Sequence, residues 1–245
     1  MTLTWPRPVI LVEADINHAS SILPGWFRAE LPAPSGILGL AELHQQGHLT
    51  TEAVLHQAIA LRDSADQGVI TGFPGPGPAQ SAAASWSALG EEFSALEDAG
   101  IDVIVDLGRL QAADPRFNLL NRADSVAICA IGDLPGLWSL RSRLGEIRDR
   151  LNLLTTEDRL GLIVRESATP GQRYSDREVK KSLGVDVWGG MHWDPRGAAV
   201  FSHGASQTGL SSKRFPSAAG ALGTTIRETT ARRRNLIGTA GEMQT

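Results

Sequence analysis

Apolar positions along the chain fall into short runs rich in Val and Ile, separated by longer Ala/Leu/Arg segments. The runs are PVILVEAD (8–15), GVITGF (68–73), IDVIVDLG (101–108), SVAICAIG (125–132), RLGLIVRES (159–167) and GVDVWGGM (184–191). Each is apolar at consecutive rather than alternate positions, the pattern of a strand buried on both faces, so a mostly parallel sheet is expected. Helical periodicity fills the intervals at about 34–46, 50–63, 79–99, 134–151 and 175–183. Strand and helix therefore alternate, which predicts an open, doubly wound α/β fold.

Local chemistry supports several boundaries. In YSDREVKKSLG, Ser175 is placed to cap a helix, Glu178 to complete its capping box and Gly184 to stop it. TGFPGPGPAQ (71–80) follows a strand and reads as a loop at the carboxyl edge of the sheet, where such folds bind ligands. Beyond Ser202 the chain becomes polar and Gly/Ser-rich, then helical at 216–234, and ends in GTAGEMQT, which reads as a frayed terminus. The division expected is an α/β domain over 1–212 and a C-terminal helix with a flexible tail over 213–245.

Composition narrows the class. The 245 residues are 42% hydrophobic and 20% charged, enough to bury a core. A formal charge of −4 gives no general attraction to nucleic acid or anionic lipid, so such contact would need a local basic patch. The single cysteine, Cys129, excludes an intramolecular disulfide and a cysteine-rich metal site. Neither a leader peptide nor an apolar stretch near the ~18 residues that span a bilayer is legible. A cytoplasmic protein is expected, with peripheral contact to membrane or nucleoid open.

Candidate chemistry is sparse. Asp15 and Asp106 end two of the apolar strands, where a carboxylate can hold Mg²⁺ directly or through water, or orient an attacking water. Either residue is also explained as a cap on the turn leaving its strand. His44 and His48 are four apart on an expected helix but lack a third ligand, and solvated positions explain them. His192 and His203 flank WDPRGAAVFS and read as ordinary loop histidines; Trp26, Trp86, Trp138, Trp188 and Trp193 read as packing residues. Arg227, Arg232, Arg233 and Arg234 lie close to Leu236 and Ile237, as a basic amphipathic contact for lipid or DNA phosphate or as a solvated helix end.

The segments RPVILVEADIN, IDVIVDLGRL, ADSVAICAIGDLPGLWSLRSRLGEI, YSDREVKKSLGVDV and MHWDPRGAAV together resemble, in order, those of MinD/ParA-like proteins, the deviant-Walker P-loop ATPases of bacteria. The likeness is nearest to an actinobacterial branch described as chromosome-partitioning or MinD-like ATPases and covers most of residues 5 to 228. It implies a P-loop NTPase fold, ATP and Mg²⁺ as cofactors, a protein partner and a homodimer. Asp15 would orient water or act near the metal, and Asp106 would hold Mg²⁺ through water. Asp194 and Pro195 would lie on the adenine side. Glu13 stands where the family usually has Asp, and Arg165 where many relatives carry an adenine-binding Asn.

The phosphate grip is the main departure. A P-loop needs G-x-x-x-x-G-K-[ST] between a strand and a helix, so that backbone N–H groups cradle the phosphates while Lys neutralises them. The sequence contains no such motif, and GALGTT (220–225) has no Lys and follows no strand. In the family this loop precedes the VILVEAD-type strand by one helix, so MTLTW matches only that helix's last turn and the usual first strand is missing. Its loss is expected to leave a gap between two halves of the sheet, either because the native protein starts upstream or because this is a degenerate, pseudo-ATPase paralogue. Three readings follow: a positioning ATPase relative unable to hydrolyse ATP as given, a nucleotide-independent interaction module, and a small-molecule α/β enzyme using the GFPGPGP loop.

Overall fold

The computed structural model describes residues 1–31, 35–63, 66–111, 114–151, 159–169, 174–206 and 211–242. They group into two compact units, one of Thr2–Arg122 with Pro195–Ser212, the other of Ala123–Asp194 with the chain from Lys213.

The first unit is built on a four-stranded sheet in the order β2-β3-β1-β4. Strands β1 (Val9–Glu13), β3 (Gln67–Ile70) and β4 (Asp102–Asp106) are parallel, and β2 (Ile59–Ala60) pairs antiparallel with β3. Helices α1 (Gly36–Gln45), α2 (Thr51–Gln57), α3 (Pro76–Ser81), α4 (Trp86–Ala95) and α5 (Phe117–Arg122) accompany it, and α8 (Pro195–Ser202) belongs to the same unit. Val12 and Ile70 from the sheet, Leu40 from α1, and Trp86 and Leu89 from α4 are fully buried together. The Phe73 ring meets Trp86 edge-on at 6.0 Å.

The second unit holds a three-stranded parallel sheet, β5 (Val126–Ile131), β6 (Leu160–Arg165) and β7 (Asp186–Met191), in the order β5-β6-β7. Helix α6 (Leu134–Arg150) buries Leu140 and Leu144, α7 (Asp176–Leu183) buries Val179 and Leu183, and α9 (Ser211–Glu242) lays Leu222 against Gly189. The Trp188 indole lies on the backbone of Gly161, where any β-carbon would collide with it.

All six strands read from the apolar runs are present, so the α/β, mostly parallel class holds. They form two sheets, and β4 and β5 each end one of them. The two outer edges of the second sheet differ. On β7, Asp186 pairs with Lys180 and the register shifts between Leu162 and Ile163, both devices that discourage further pairing. β5 is uncharged and unbroken, and Ala127, Cys129 and Ile131 are exposed. Its sequence is that of an inner strand, but among the described residues it has a neighbour on one side only.

Helix expectations need more correction. The α7 boundaries hold: Ser175 and Glu178 form a full capping box, and Gly184 stops the helix in the left-handed conformation. The helix expected over 50–63 ends at Gln57, because Ala58 turns extended and the next two residues join β3 as β2. The segment 79–99 is broken into α3, α4 and two 3-10 turns. Within the PGPGP loop a helix begins at Pro76, at a first-turn position where a missing N–H costs nothing. The C-terminal helix runs to Glu242, so most of the stretch read as frayed is helical; 243–245 and the side chains of Leu236 and Ile237 lie outside the described residues. GALGTT is inside α9 and forms no loop. No helix among the described residues is long and apolar enough to cross a membrane.

Candidate functional site

Parallel pairing sets Glu13 beside Asp106, and two residues later β1 has given way to the turn that carries Asp15. Glu13, Asp15, His18, Ser20, Gly72 and Asp106 line a cavity of about 400 Å³ at the carboxyl ends of β1, β3 and β4. A smaller cavity of about 200 Å³ opens at the amino ends beside Pro8, Leu55 and Gly68, with Asp66 its only charged residue. Of these two, the carboxyl-edge cavity is the candidate site, because it gathers several polar side chains.

Each acidic residue has a distinct setting. Asp15 Oδ1 accepts the Asn17 backbone N–H at 2.8 Å and the Asn17 amide at 3.3 Å, and Oδ2 lies 3.0 Å from His18 Nδ1. Asp106 is exposed, and its Oδ1 accepts the Gly108 N–H at 2.9 Å. Both aspartates thus cap the turn that leaves their strand. Gly108 adopts φ +56°, and a β-carbon there would strike the Asp15 carboxylate, so glycine is what lets the two turns approach. Glu13 is only 8% exposed. Its carboxylate accepts from the Ser20 hydroxyl, from the N–H and hydroxyl of Ser21, and from the N–H groups of Ile22 and Gly72.

Partial burial pushes the Asp15 pKa up, but the Asn17 N–H and the His18 ring outweigh it and hold the carboxyl below its ordinary value. A depressed folded pKa adds stability that is present above the unfolded value near ~3.9 and is lost as pH falls through the lower folded value. His18→Ala and Asn17→Ala are each expected to move the Asp15 midpoint upward in a carboxyl ¹³C titration. An unmoved midpoint in both variants would show that these contacts do not set it.

A buried ion pair that the sequence did not reveal lies behind the cleft. Arg116 is 0% exposed and pairs with Asp114 at 2.5 Å. Burial works to raise the Asp114 pKa, and the Arg116 guanidinium overcomes it, so the net direction is down.

Other sequence candidates lie elsewhere. Asp194 closes a segment of the second unit and Pro195 opens α8 in the first; neither lines the cavity. Arg165, at the end of β6, stacks its guanidinium 4.6 Å from the centre of the Trp193 ring. His192 pairs with Glu166 at 3.0 Å. Trp138 and Trp193 are exposed, contrary to the packing expected of them, whereas Trp86 and Trp188 are buried. α1 ends at Gln45, so His48 is not on the helix that carries His44, and His44 Nδ1 meets Ser85 Oγ at 3.0 Å. Three arginines of α9 are engaged within the second unit: Arg234 pairs with Asp124 at 2.8 Å, Arg233 donates to the Asp124 carbonyl and Arg232 bonds to Thr229.

The donor set fits a cation better than a phosphate. Three carboxylates line the cleft and no Lys or Arg does. Among the described residues, no group of three or more His, Cys, Asp or Glu is arranged to hold a metal ion.

No family profile and no curated protein matches the chain by sequence. Solved structures do match by fold. An ATP complex of a McdA variant from Cyanothece is similar with a TM-score of 0.65 at 16% identity, over 94% of this chain and 87% of that one. The septum site-determining protein MinD of Pyrococcus horikoshii, complexed with Mg-ADP, gives 0.58 at 14% identity, over 97% and 87%. A ParA family ATPase from Chlorobium tepidum gives 0.55 at 14% identity, over 94% and 87%. The fold is MinD/ParA-like.

Proposed function

We propose that this chain is a MinD/ParA-like module that does not hydrolyse ATP on its own and acts through a protein partner. The observation that carries the reading is that the described residues lining the cleft bring three carboxylates and no lysine or arginine to receive phosphates. Phosphoryl transfer is catalysed mainly by positioning and charge neutralisation, and a cleft bearing Glu13, Asp15 and Asp106 offers the opposite charge. Asp15 and Asp106 keep the strand-end places that the resemblance assigns to water and to Mg²⁺. These roles have a use only where a phosphate-binding segment joins the cleft. A partner is supported by α6, where Leu134 and Trp138, about one turn apart, are 58% and 68% exposed.

Phosphate release from Mg-ATP is expected to stay at the buffer rate, with no saturable heat of ATP binding in calorimetry. Turnover or saturable binding that disappears in Asp106→Ala would overturn the proposal and make the cleft a nucleotide site.

A further inference from the structure

The geometry points to Arg116 as the positioning residue of the acidic cleft, a single buried side chain that sets both aspartate turns together. The inference concerns the shape of the cleft and holds whether or not nucleotide binds there.

Its basis is a complete set of bonds. A guanidinium has five N–H donors in a fixed planar fork. In Arg116 all five are used: Nε and Nη2 grip the Asp114 carboxylate at 2.8 and 2.5 Å, Nη1 donates to the carbonyls of Ala14 at 2.8 Å and Leu107 at 2.5 Å, and Nη2 donates to the Arg109 carbonyl at 3.0 Å. The three carbonyls are not scattered. Ala14 directly precedes Asp15, Leu107 directly follows Asp106, and Arg109 closes the turn that Gly108 begins. The Arg109 carbonyl also accepts the Asn17 side-chain amide at 3.3 Å, and Asn17 in turn binds Asp15. Beyond the last ladder bond, from the Ala14 N–H to the Asp106 carbonyl at 2.8 Å, the side-chain bonds named here that join the two turns end on Arg116 or on a carbonyl it holds.

The arrangement has a physical reason. Backbone carbonyls just past the last ladder bond of a strand need a donor if they are buried, and three of them converge here. A charged donor is tolerable in that interior because Asp114 neutralises it and also binds the Arg116 and Gln111 backbone N–H groups, at 3.0 and 3.3 Å. Lysine has three donors on a point charge, so it cannot replace the fork, and at least two acceptors would be left without their bond.

The test is ¹⁵N NMR with hydrogen exchange on the full chain, comparing wild type, Arg116→Lys and Asn17→Ala. The amides of Asn17 and Gly108 report on the two turns, since they donate to Asp15 and Asp106. Arg116→Lys is expected to shift both signals and speed both exchanges by about tenfold, the factor that one lost hydrogen bond of ordinary net strength represents. Leu162 in β6 should not move. Asn17→Ala should disturb the Asp15 turn and leave Gly108 in place. If Arg116→Lys fails to fold, Asp114→Asn keeps the guanidinium but removes the charge that anchors it, and the same paired shift is expected. Unmoved Asn17 and Gly108 amides in the folded variant would overturn the inference, as would a Gly108 shift in Asn17→Ala equal to that in Arg116→Lys.

Discussion

Glu13→Ala is expected to lower the free energy of unfolding by about 2–4 kcal/mol, more than any other change to a polar residue lining the cleft. The carboxylate is the shared acceptor of Ser20, Ser21, Ile22 and Gly72, and removing it strands several donors at once in a place that is 8% exposed. Hydrogen bonds to a charged group contribute about 1.5–3 kcal/mol each, and they are not additive when they share one acceptor. The segment it holds is strained as well. Arg28 and Ala29 sit at φ 52° and 58°, left-handed conformations that cost about 1–2 kcal/mol each for residues with a β-carbon. Trp26 ties the far side of that segment by stacking on Phe201 and donating to the Leu61 carbonyl at 2.9 Å. Without Glu13 the near side has nothing comparable, so limited proteolysis should cut first within residues 16–31. Glu13→Gln should recover little, because an amide turns two donors toward a ring of donors. A denaturation midpoint for Glu13→Ala that equals wild type would show that the turn at 20–22 is held by other means.

Local features of the fold were legible because their causes are adjacent in sequence. The α7 capping box needs only Ser175, Glu178 and Gly184, and β1, β4, β5 and β6 announce themselves by unbroken apolar runs. What failed depends on neighbours. α2 stops at Gln57 because β3 offers Ile59 and Ala60 a partner, which no window around 50–63 contains. Trp138 has the spacing of a core residue, but spacing cannot tell whether anything lies against that face of α6. The same holds for β5, whose apolar run would suit an inner strand although it ends its sheet among the described residues.

In the cleft, the two aspartates were readable as strand-end residues and their neighbours were not. Glu13 was visible only as a departure from the family's usual Asp, and its role depends on Gly72, far along the chain, entering the same cleft. Asp114 and Arg116 were not singled out by the sequence at all. Nothing in ADPRF distinguishes a surface ion pair from one that holds the carbonyls of Ala14 and Leu107, since those acceptors belong to backbone and carry no sequence signal.

Trp86→Ala should destabilise the first unit by about 3–5 kcal/mol, the usual cost of removing a large aromatic side chain from a core that cannot collapse around the space. Trp86 is fully buried at the start of α4, packed edge-on to Phe73, and shares its core with Leu40 and Ile70. Trp86→Phe separates volume from polarity. The indole Nε1 is buried and finds no acceptor among the described groups, a defect worth about 1–3 kcal/mol. Phenylalanine removes that stranded donor while giving up part of the packed area, and the two effects oppose each other. The net change should therefore lie within about 1 kcal/mol of wild type, measured as the shift in urea midpoint at constant slope. Equal losses in the two variants would mean that Nε1 has an acceptor after all, and that the hydrogen bond rather than the packed ring holds α4 against the sheet.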